Sequence, residues 1–256
     1  MRILLTNDDG VSAPGLRRLA RSLSRVGEVI VVAPETEMSA SAHSLTLTRP
    51  LRARRRGRNV YSVDGTPTDC VYLALFEIVG DDVDLVVSGI NRGWNLGDDI
   101  TYSGTVSAAL EGTLLRRPSF AVSAERARPM RYGPAAEFAR TLALQVVKHG
   151  LPRDIYLNVN VPARPLRGVR IVRQGKRIYH DGVSTERGAS GETLYRIGGY
   201  PEWDEQPGSD IEAFRSGYIT ITPLKVDMTD RRAMNRLSGW RLPVPKAARA
   251  RRGGRR

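Results

Sequence analysis

Short apolar runs alternate with amphipathic helical periods along this chain, and that alternation restricts its fold more than any other feature. Ile3 to Thr6, Val29 to Ala33, Val83 to Val87, Phe120 to Val122 and Ile155 to Val161 are brief and mostly apolar, the pattern of strands buried on both faces. Between them Leu16, Leu19, Leu23 and Val26 recur at helical spacing, with Pro14 in the first turn and Gly27 placed to end the helix. Thr66-Pro67-Thr68-Asp69 gives a second helix a capping hydroxyl, a proline at its first position and a carboxylate at its third. Ser103-Gly104-Thr105 opens a third helix through Val106, Leu110 and Leu114, and residues 134–149 form a fourth. Strands and helices in this order predict the α/β class: a Rossmann-like three-layer α/β/α arrangement with a mostly parallel sheet.

Two segments interrupt the alternation. Leu45 and Leu47 alternate with threonines, and Val60, Tyr61 and Val63 follow a turn at Gly57, which predicts an inserted β-hairpin. Residues 174–215 are polar and glycine-rich, with Trp203 and several tyrosines, and read as an extension built of two long strands. Tyr218 to Thr222 returns as a strand, and Thr229 is placed to cap a last helix carrying Met234, Leu237 and Trp240. The expected organisation is one domain over 1–245 and a basic, disordered tail over 246–256.

Bulk properties narrow the function. A single cysteine, Cys70, rules out an internal disulfide and fits a reducing compartment. No run approaches the roughly 18 apolar residues of a membrane span, and the amino-terminal apolar stretch runs straight into Asp8 without a signal-peptide layout. The expectation is a cytoplasmic protein with no membrane partner. The net charge is +13, and six of the positive charges sit in the tail, at Lys246, Arg249, Arg251, Arg252, Arg255 and Arg256. A second cluster is Arg52, Arg54, Arg55, Arg56 and Arg58. Such surfaces attract phosphates, from nucleotides to RNA. Neither cluster contains the interleaved aromatics of a single-strand nucleic-acid binder, so nucleic-acid binding is the less favoured reading.

The first strand ends in Asn7-Asp8-Asp9-Gly10. Two carboxylates about 4 Å apart repel by roughly 4 kcal/mol at an effective dielectric of 20. A bound cation relieves that repulsion; a solvated Asp-Gly turn avoids it, and these residues alone leave both open. In a doubly wound sheet, ligands bind beyond the carboxyl ends of the strands. Ser39 to Ser44, the Gly- and Asn-rich loop Ser88 to Gly97, and Ser103-Gly104-Thr105 fall at that same end. Asp8, Asp9, a serine hydroxyl and an asparagine carbonyl form an all-oxygen set that favours Mg²⁺ or Mn²⁺ over zinc. The helix start at Ser103 suits a phosphate, although Ser103 also serves as a plain cap. His43 lies in the second loop, within reach of a substrate. Trp94 either stacks on a base or fills a gap. Cys70 reads as a small apolar residue.

With these residues assembled, the chain resembles the SurE family of survival-protein nucleotidases. The resemblance rests on Thr6-Asn7-Asp8-Asp9-Gly10, Ser39 with Ser44-Leu45-Thr46, Gly65-Thr66-Pro67-Thr68-Asp69-Cys70-Val71, Ser88-Gly89-Ile90-Asn91, Asn95-Leu96-Gly97-Asp98-Asp99, Tyr102-Ser103-Gly104-Thr105-Val106, Leu157-Asn158-Val159-Asn160-Val161-Pro162 and Ile219-Thr220-Ile221-Thr222-Pro223-Leu224. It implies a metal-dependent phosphatase acting on nucleoside monophosphates at the 5′ and often the 3′ position, with exopolyphosphatase activity in some members. It implies one divalent ion per subunit, Mg²⁺ or Mn²⁺, on Asp8, Asp9, Ser39 and Asn91. Substrate contacts are implied for Asn95, Ser103, Gly104 and Thr105. It implies a homodimer or homotetramer joined through an exchanged hairpin, which suits 174–215. The expected catalytic residues are Asp8, as base toward water or as nucleophile in an aspartyl-phosphate route, and Asp9, mainly a ligand. The family's second loop usually has Gly and Ser where this chain has Ala40 and Ala42, so a substrate hydrogen bond is in question. The alternative classes are a nucleic-acid-binding module and a zinc-dependent deacetylase; the latter wants histidine ligands, and the first loop offers Asn7 instead.

Overall fold

β1 (Arg2–Thr6) dictates a sheet covered on both sides. Neighbouring strand residues point to opposite faces, yet Ile3, Leu4 and Leu5 are all fully buried. In the computed structural model, which describes residues 1–204 and 206–242, helices cover both faces. Ile3 and Leu5 pack under α1 (Pro14–Leu23) and α4 (Gly133–His149). Leu4 packs instead with α2 (Pro67–Leu73) and Ala108 of α3 (Gly104–Leu114). Val106 and Ala109 of α3 complete that second layer over Ala121, Tyr156 and Leu224. Each buried Val, Leu or Ile among these contributes about 1.5–3 kcal/mol.

The remaining strands are β2 (Glu28–Pro34), β3 (Ala53–Gly57), β4 (Val60–Val63), β5 (Leu85–Arg92), β6 (Ser119–Ala124), β7 (Ile155–Val161), β8 (Val169–Ile171), β9 (Lys176–Arg187), β10 (Thr193–Asp204) and β11 (Ile219–Lys225). Among the described residues, nine form one sheet in the order β3-β4-β2-β1-β5-β6-β7-β11-β8. The run from β4 to β7 is parallel; β3 and β11 pair antiparallel with β4 and β7. β2 lies on one side of β1 and β5 on the other, with Thr6 in register with Ser88. The crevice beyond the carboxyl ends of β1 and β5 is therefore the topological switch point.

β9 and β10 form a separate antiparallel pair, the two long strands expected within 174–215. That segment also contains α5 (Asp210–Arg215), whose Ile211 and Phe214 are buried. The chain divides into two compact units, Met1–Val226 and a second beginning at Asp227. The second contains α6 (Arg231–Leu237), none of whose residues is buried. The predicted tail, 246–256, lies outside the described residues. No described helix is long and apolar enough to cross a membrane.

Several predicted elements need correction. The inserted hairpin is made by β3 and β4, not by Leu45 to Leu47. Asp69 accepts hydrogen bonds from the Thr46 amide (2.8 Å) and hydroxyl (2.6 Å), which ties that stretch down as a loop. β3 carries no apolar signal because it is an arginine-rich edge strand, exposed throughout. The third strand runs to Arg92, so Asn91 ends a strand instead of lying in a loop. The last helix is capped by Asp230, whose Oδ1 accepts from the amides of Arg232 (2.8 Å) and Ala233 (2.9 Å), and not by Thr229.

Candidate active site

After β1 the chain turns sharply and is stitched to its neighbours. Asn7 Nδ2 donates to the Gly10 carbonyl (3.1 Å), the Val11 amide to Pro34 (2.8 Å), and the Met38 amide to Asp8 (2.7 Å). Gly10 has φ +94°, and a Cβ there would lie 3.2 Å from the Thr36 carbonyl carbon. The turn thus needs glycine, and it releases Asp8 and Asp9 from the strand's alternation.

Asp8 is buried against the start of α3. Its Oδ1 accepts from the Thr105 hydroxyl (2.5 Å) and its Oδ2 from the Thr105 amide (3.2 Å). Ser103 caps this helix, its Oγ accepting from the Val106 amide at 3.1 Å. A Cβ on Gly104 would come within 3.1 Å of Asp8 Cβ and 2.6 Å of Ser41 Oγ, so glycine lets the helix end close onto the loop. Asp9 Oδ2 accepts from the Arg92 amide at 3.3 Å. Burial pushes the Asp8 carboxyl up to about 6; the Thr105 bonds oppose this and the charge of Asp9 adds to it. Asp9 is also raised, by burial first and by Glu37, while the Arg92 amide and the charges of Arg92 and Arg126 pull it down.

Both carboxylates open onto a cleft of about 870 Å³. Ser39, Asn91, Asn95 and Ser103 line it as well. Gly104 and Thr105 do not; Thr105 stands behind Asp8 with both its amide and its hydroxyl engaged. Ser39 Oγ donates to Glu37 (2.7 Å) and Asn91 Nδ2 to the Gly93 carbonyl (3.0 Å), so each keeps an oxygen able to act as a ligand. Two raised carboxylates with neutral oxygens beside them fit a hard divalent cation, which would offset their desolvation and mutual repulsion. Among the described residues no group of three or more His, Cys, Asp or Glu could hold a metal, so a histidine-rich zinc site has no counterpart here. His43 faces Glu111, Nε2 to Oε2 2.7 Å, and does not line the cleft.

Asn95 is held by partners that the sequence motifs do not assign. Its amide donates to Asn160 Oδ1 (2.7 Å), its Nδ2 to Ser123 (2.8 Å), and its carbonyl accepts from Asn158 (2.8 Å) and Asn160 (3.0 Å). The available signal for Asn158 and Asn160 is two polar residues at alternate positions of an otherwise apolar strand. Glu37, Arg126, Met130 and Tyr132 are further cleft residues without an evident sequence signal.

The cleft rim is continuous with the root of the β9–β10 arm. Trp94 packs on Trp203 (5.7 Å) and Phe214 (5.8 Å) while also lining the cleft. Asp99 pairs with Arg177, and Asp98 accepts from the Arg177 amide (3.1 Å). The buried Asp210 carboxylate accepts from the amides of Gly97 (3.0 Å) and Gly175 (2.8 Å).

A doubly wound sheet with an all-oxygen set of candidate ligands, Asp8, Asp9, Ser39 and Asn91, and a helix start at its switch point defines an α/β protein suited to a hard cation and an oxyanion. Similarity to known proteins gives the group. The model of the family described as "Survival protein SurE" matches residues 3–181. The 5'-nucleotidase SurE of Syntrophotalea carbinolica is 49% identical over 245 residues, covering 94% of this chain and 98% of that protein. That of Citrifermentans bemidjiense is 48% identical over 248 residues, covering 95% and 100%. The crystal structure of the SurE protein from Aquifex aeolicus superposes with a TM-score of 0.83 at 40% identity, covering 93% of this chain and 98% of that one. The chain belongs to the SurE family.

Proposed function

We infer that this chain is a metal-dependent 5′-nucleotidase, hydrolysing nucleoside 5′-monophosphates to nucleoside and phosphate. The names of its relatives support the activity. The observation that carries the mechanism is Asp8, a buried carboxylate held by Thr105 beside Asp9 at a cleft mouth.

Asp8, Asp9, Ser39 and Asn91 are the residues that would hold the metal. When bound, a divalent ion such as Mg²⁺ or Mn²⁺ supplies Lewis-acid neutralisation of charge on the transferring phosphoryl group. Ser103 and Asn95 orient the phosphate at the start of α3, where the helix dipole favours an anion. Water attacks phosphorus in line and its proton passes to Asp8. The bond from phosphorus to the nucleoside oxygen breaks, and that oxygen takes a proton from solvent. Asp8 has a raised carboxyl that is still ionised at neutral pH, which suits a base. Both its oxygens are anchored by Thr105, which favours proton transfer over the movement toward phosphorus that an aspartyl-phosphate requires.

An oligomer built on the β9–β10 arm belongs to the same reading. Val183 and Ile197 are cross-strand partners, Tyr195 shares their face, and all three are exposed on this chain, Ile197 at 92%. An exposed apolar strand face is a surface for a second subunit. A cytoplasmic location completes the reading, supported by the single, buried cysteine. The test is phosphate release from a nucleoside 5′-monophosphate by chelator-treated protein given Mg²⁺, Mn²⁺ or Zn²⁺ in turn. Release with none of them removes the proposal.

A further inference from the structure

Four carboxylates and two guanidiniums line the cleft. The carboxylates are all engaged: Asp8 by Thr105, Asp9 by the Arg92 amide, Glu37 by Ser39 and Asp99 by Arg177. The guanidiniums are not. Arg126 is fixed in place because its Nε donates to the Arg92 carbonyl at 2.9 Å. Its two terminal nitrogens, and the whole guanidinium of Arg92, have no hydrogen-bond or ion-pair partner among the described residues.

Their position matters as much as their freedom. Ser103 belongs to the start of α3, which covers one face of the sheet. Arg126 comes from the connection between β6 and α4, and its neighbours Met130 and Tyr132 pack with the core of the opposite face. Arg126 therefore comes from the layer opposite the helix start assigned to the scissile phosphate. Arg92, at the end of β5, shares its surroundings: the charges of both act on Asp9, and that of Arg92 on Tyr132. One phosphate at Ser103 leaves both guanidiniums with free N–H donors, their charges acting on Asp9 only through space. Guanidinium is the side chain best matched to phosphate, through paired N–H donors.

We propose that Arg92 and Arg126 form a second phosphate subsite, so that the preferred substrates are nucleotides carrying a phosphate besides the one removed, as in a nucleoside 3′,5′-bisphosphate. The proposal rests on the phosphatase reading above. One phosphate is hydrolysed at Asp8 and Asp9: water adds to its phosphorus, its ester bond to the ribose breaks, and the products are inorganic phosphate and a nucleoside monophosphate. The other phosphate stays intact between the guanidiniums and positions the substrate. Met130 and Tyr132 supply an apolar wall beside it.

The experiment measures kcat/KM with Mn²⁺ for adenosine 3′,5′-bisphosphate and for adenosine 5′-monophosphate, and reads their ratio within each protein. Taking the ratio cancels the effect that removing either arginine has on Asp9. Wild type is expected to favour the bisphosphate by about tenfold, the worth of one charge-assisted contact. Arg126→Ala and Arg92→Ala are each expected to bring the ratio down by about threefold or more. In wild type the preference is expected to shrink as salt rises toward about 1 M, where screening acts within about 3 Å. A wild-type ratio at or below one overturns the proposal without needing either variant to fold. So does a ratio that both variants leave unchanged. Turnover of the monophosphate without preference overturns this subsite alone, whereas turnover of neither substrate overturns the phosphatase reading with it.

Discussion

In the metal-free protein, folding makes Asp8 harder to ionise, and replacing it with asparagine removes that burden. The carboxyl moves from its ordinary value of 3.8 up to about 6 on burial. At 1.36 kcal/mol per pKa unit this is about 3 kcal/mol against the folded state once the pH exceeds both values. Because the folded value is the higher one, the associated stability is present below about 3.8 and is lost as pH rises through 6. The substituted side chain would carry no charge, but its amide nitrogen cannot accept from the Thr105 amide, which forfeits a bond of about 1 kcal/mol. The expected net effect of Asp8→Asn is a gain of about 2 kcal/mol near pH 8, turning into a small deficit near pH 4. Urea unfolding of both proteins in excess EDTA at these two pH values measures it, as a shift in midpoint at unchanged slope. Adding Mn²⁺ should reverse the order near pH 8, since binding to the native state stabilises wild type more. A variant less stable than wild type near pH 8 in EDTA, or a difference independent of pH, would refute the reasoning.

Three further outcomes are expected. Asp9→Asn should regain part of its activity in excess Mn²⁺, whereas Asp8→Asn should stay at least ~10²-fold down at saturating metal; near-normal turnover by Asp8→Asn would move the chemistry elsewhere. Shortening β9 and β10 equally from the tip at Gly188 to Glu192 should give smaller particles in sedimentation, and an unchanged mass would give the arm another task. Asp69→Ala should destabilise the protein by about 2–4 kcal/mol in thermal unfolding, because Asp69 alone accepts from the Thr46 amide and hydroxyl and the Thr66 amide; a loss under about 0.5 kcal/mol would show that the loop holds without it.

What the sequence disclosed follows burial. β1 and β7 are legible because both faces are covered, and α2 because its capping box is local, with Asp69 and Thr66 bonding each other's amides. β3 is not, since an edge strand in water has no apolar alternation to display. The end of β5 reads as a loop in the sequence because glycine and asparagine favour turns. Gly89 in fact serves close packing, as a Cβ there would strike the Val122 carbonyl on the adjacent strand. In the site, charge crowding singles out the Asp8–Asp9 pair but leaves a cation and a solvated turn both open until the loops that converge on it are counted. The role of Thr105 is not, because it lies 97 residues away and depends on where α3 starts over the sheet.

The Asp210 clasp has a consequence for how this surface can diverge. One carboxylate holds Gly97 at the cleft rim and Gly175 at the arm's root, and neither glycine has room to change. A Cβ on Gly97 would lie 3.1 Å from Ile211 Cδ1, and one on Gly175 would lie 2.7 Å from Asp210 Oδ1. The arm is thus conservative at one end and permissive at the other. Toward the tip, Tyr195 and Ile197 are exposed, at 70% and 92%, so side chains there can be rewritten without displacing a packed neighbour. At the root the same edits would reshape the wall of the cleft. New subunit partners can be acquired from the tip inward, and the chemistry sets how far inward such rewriting can go.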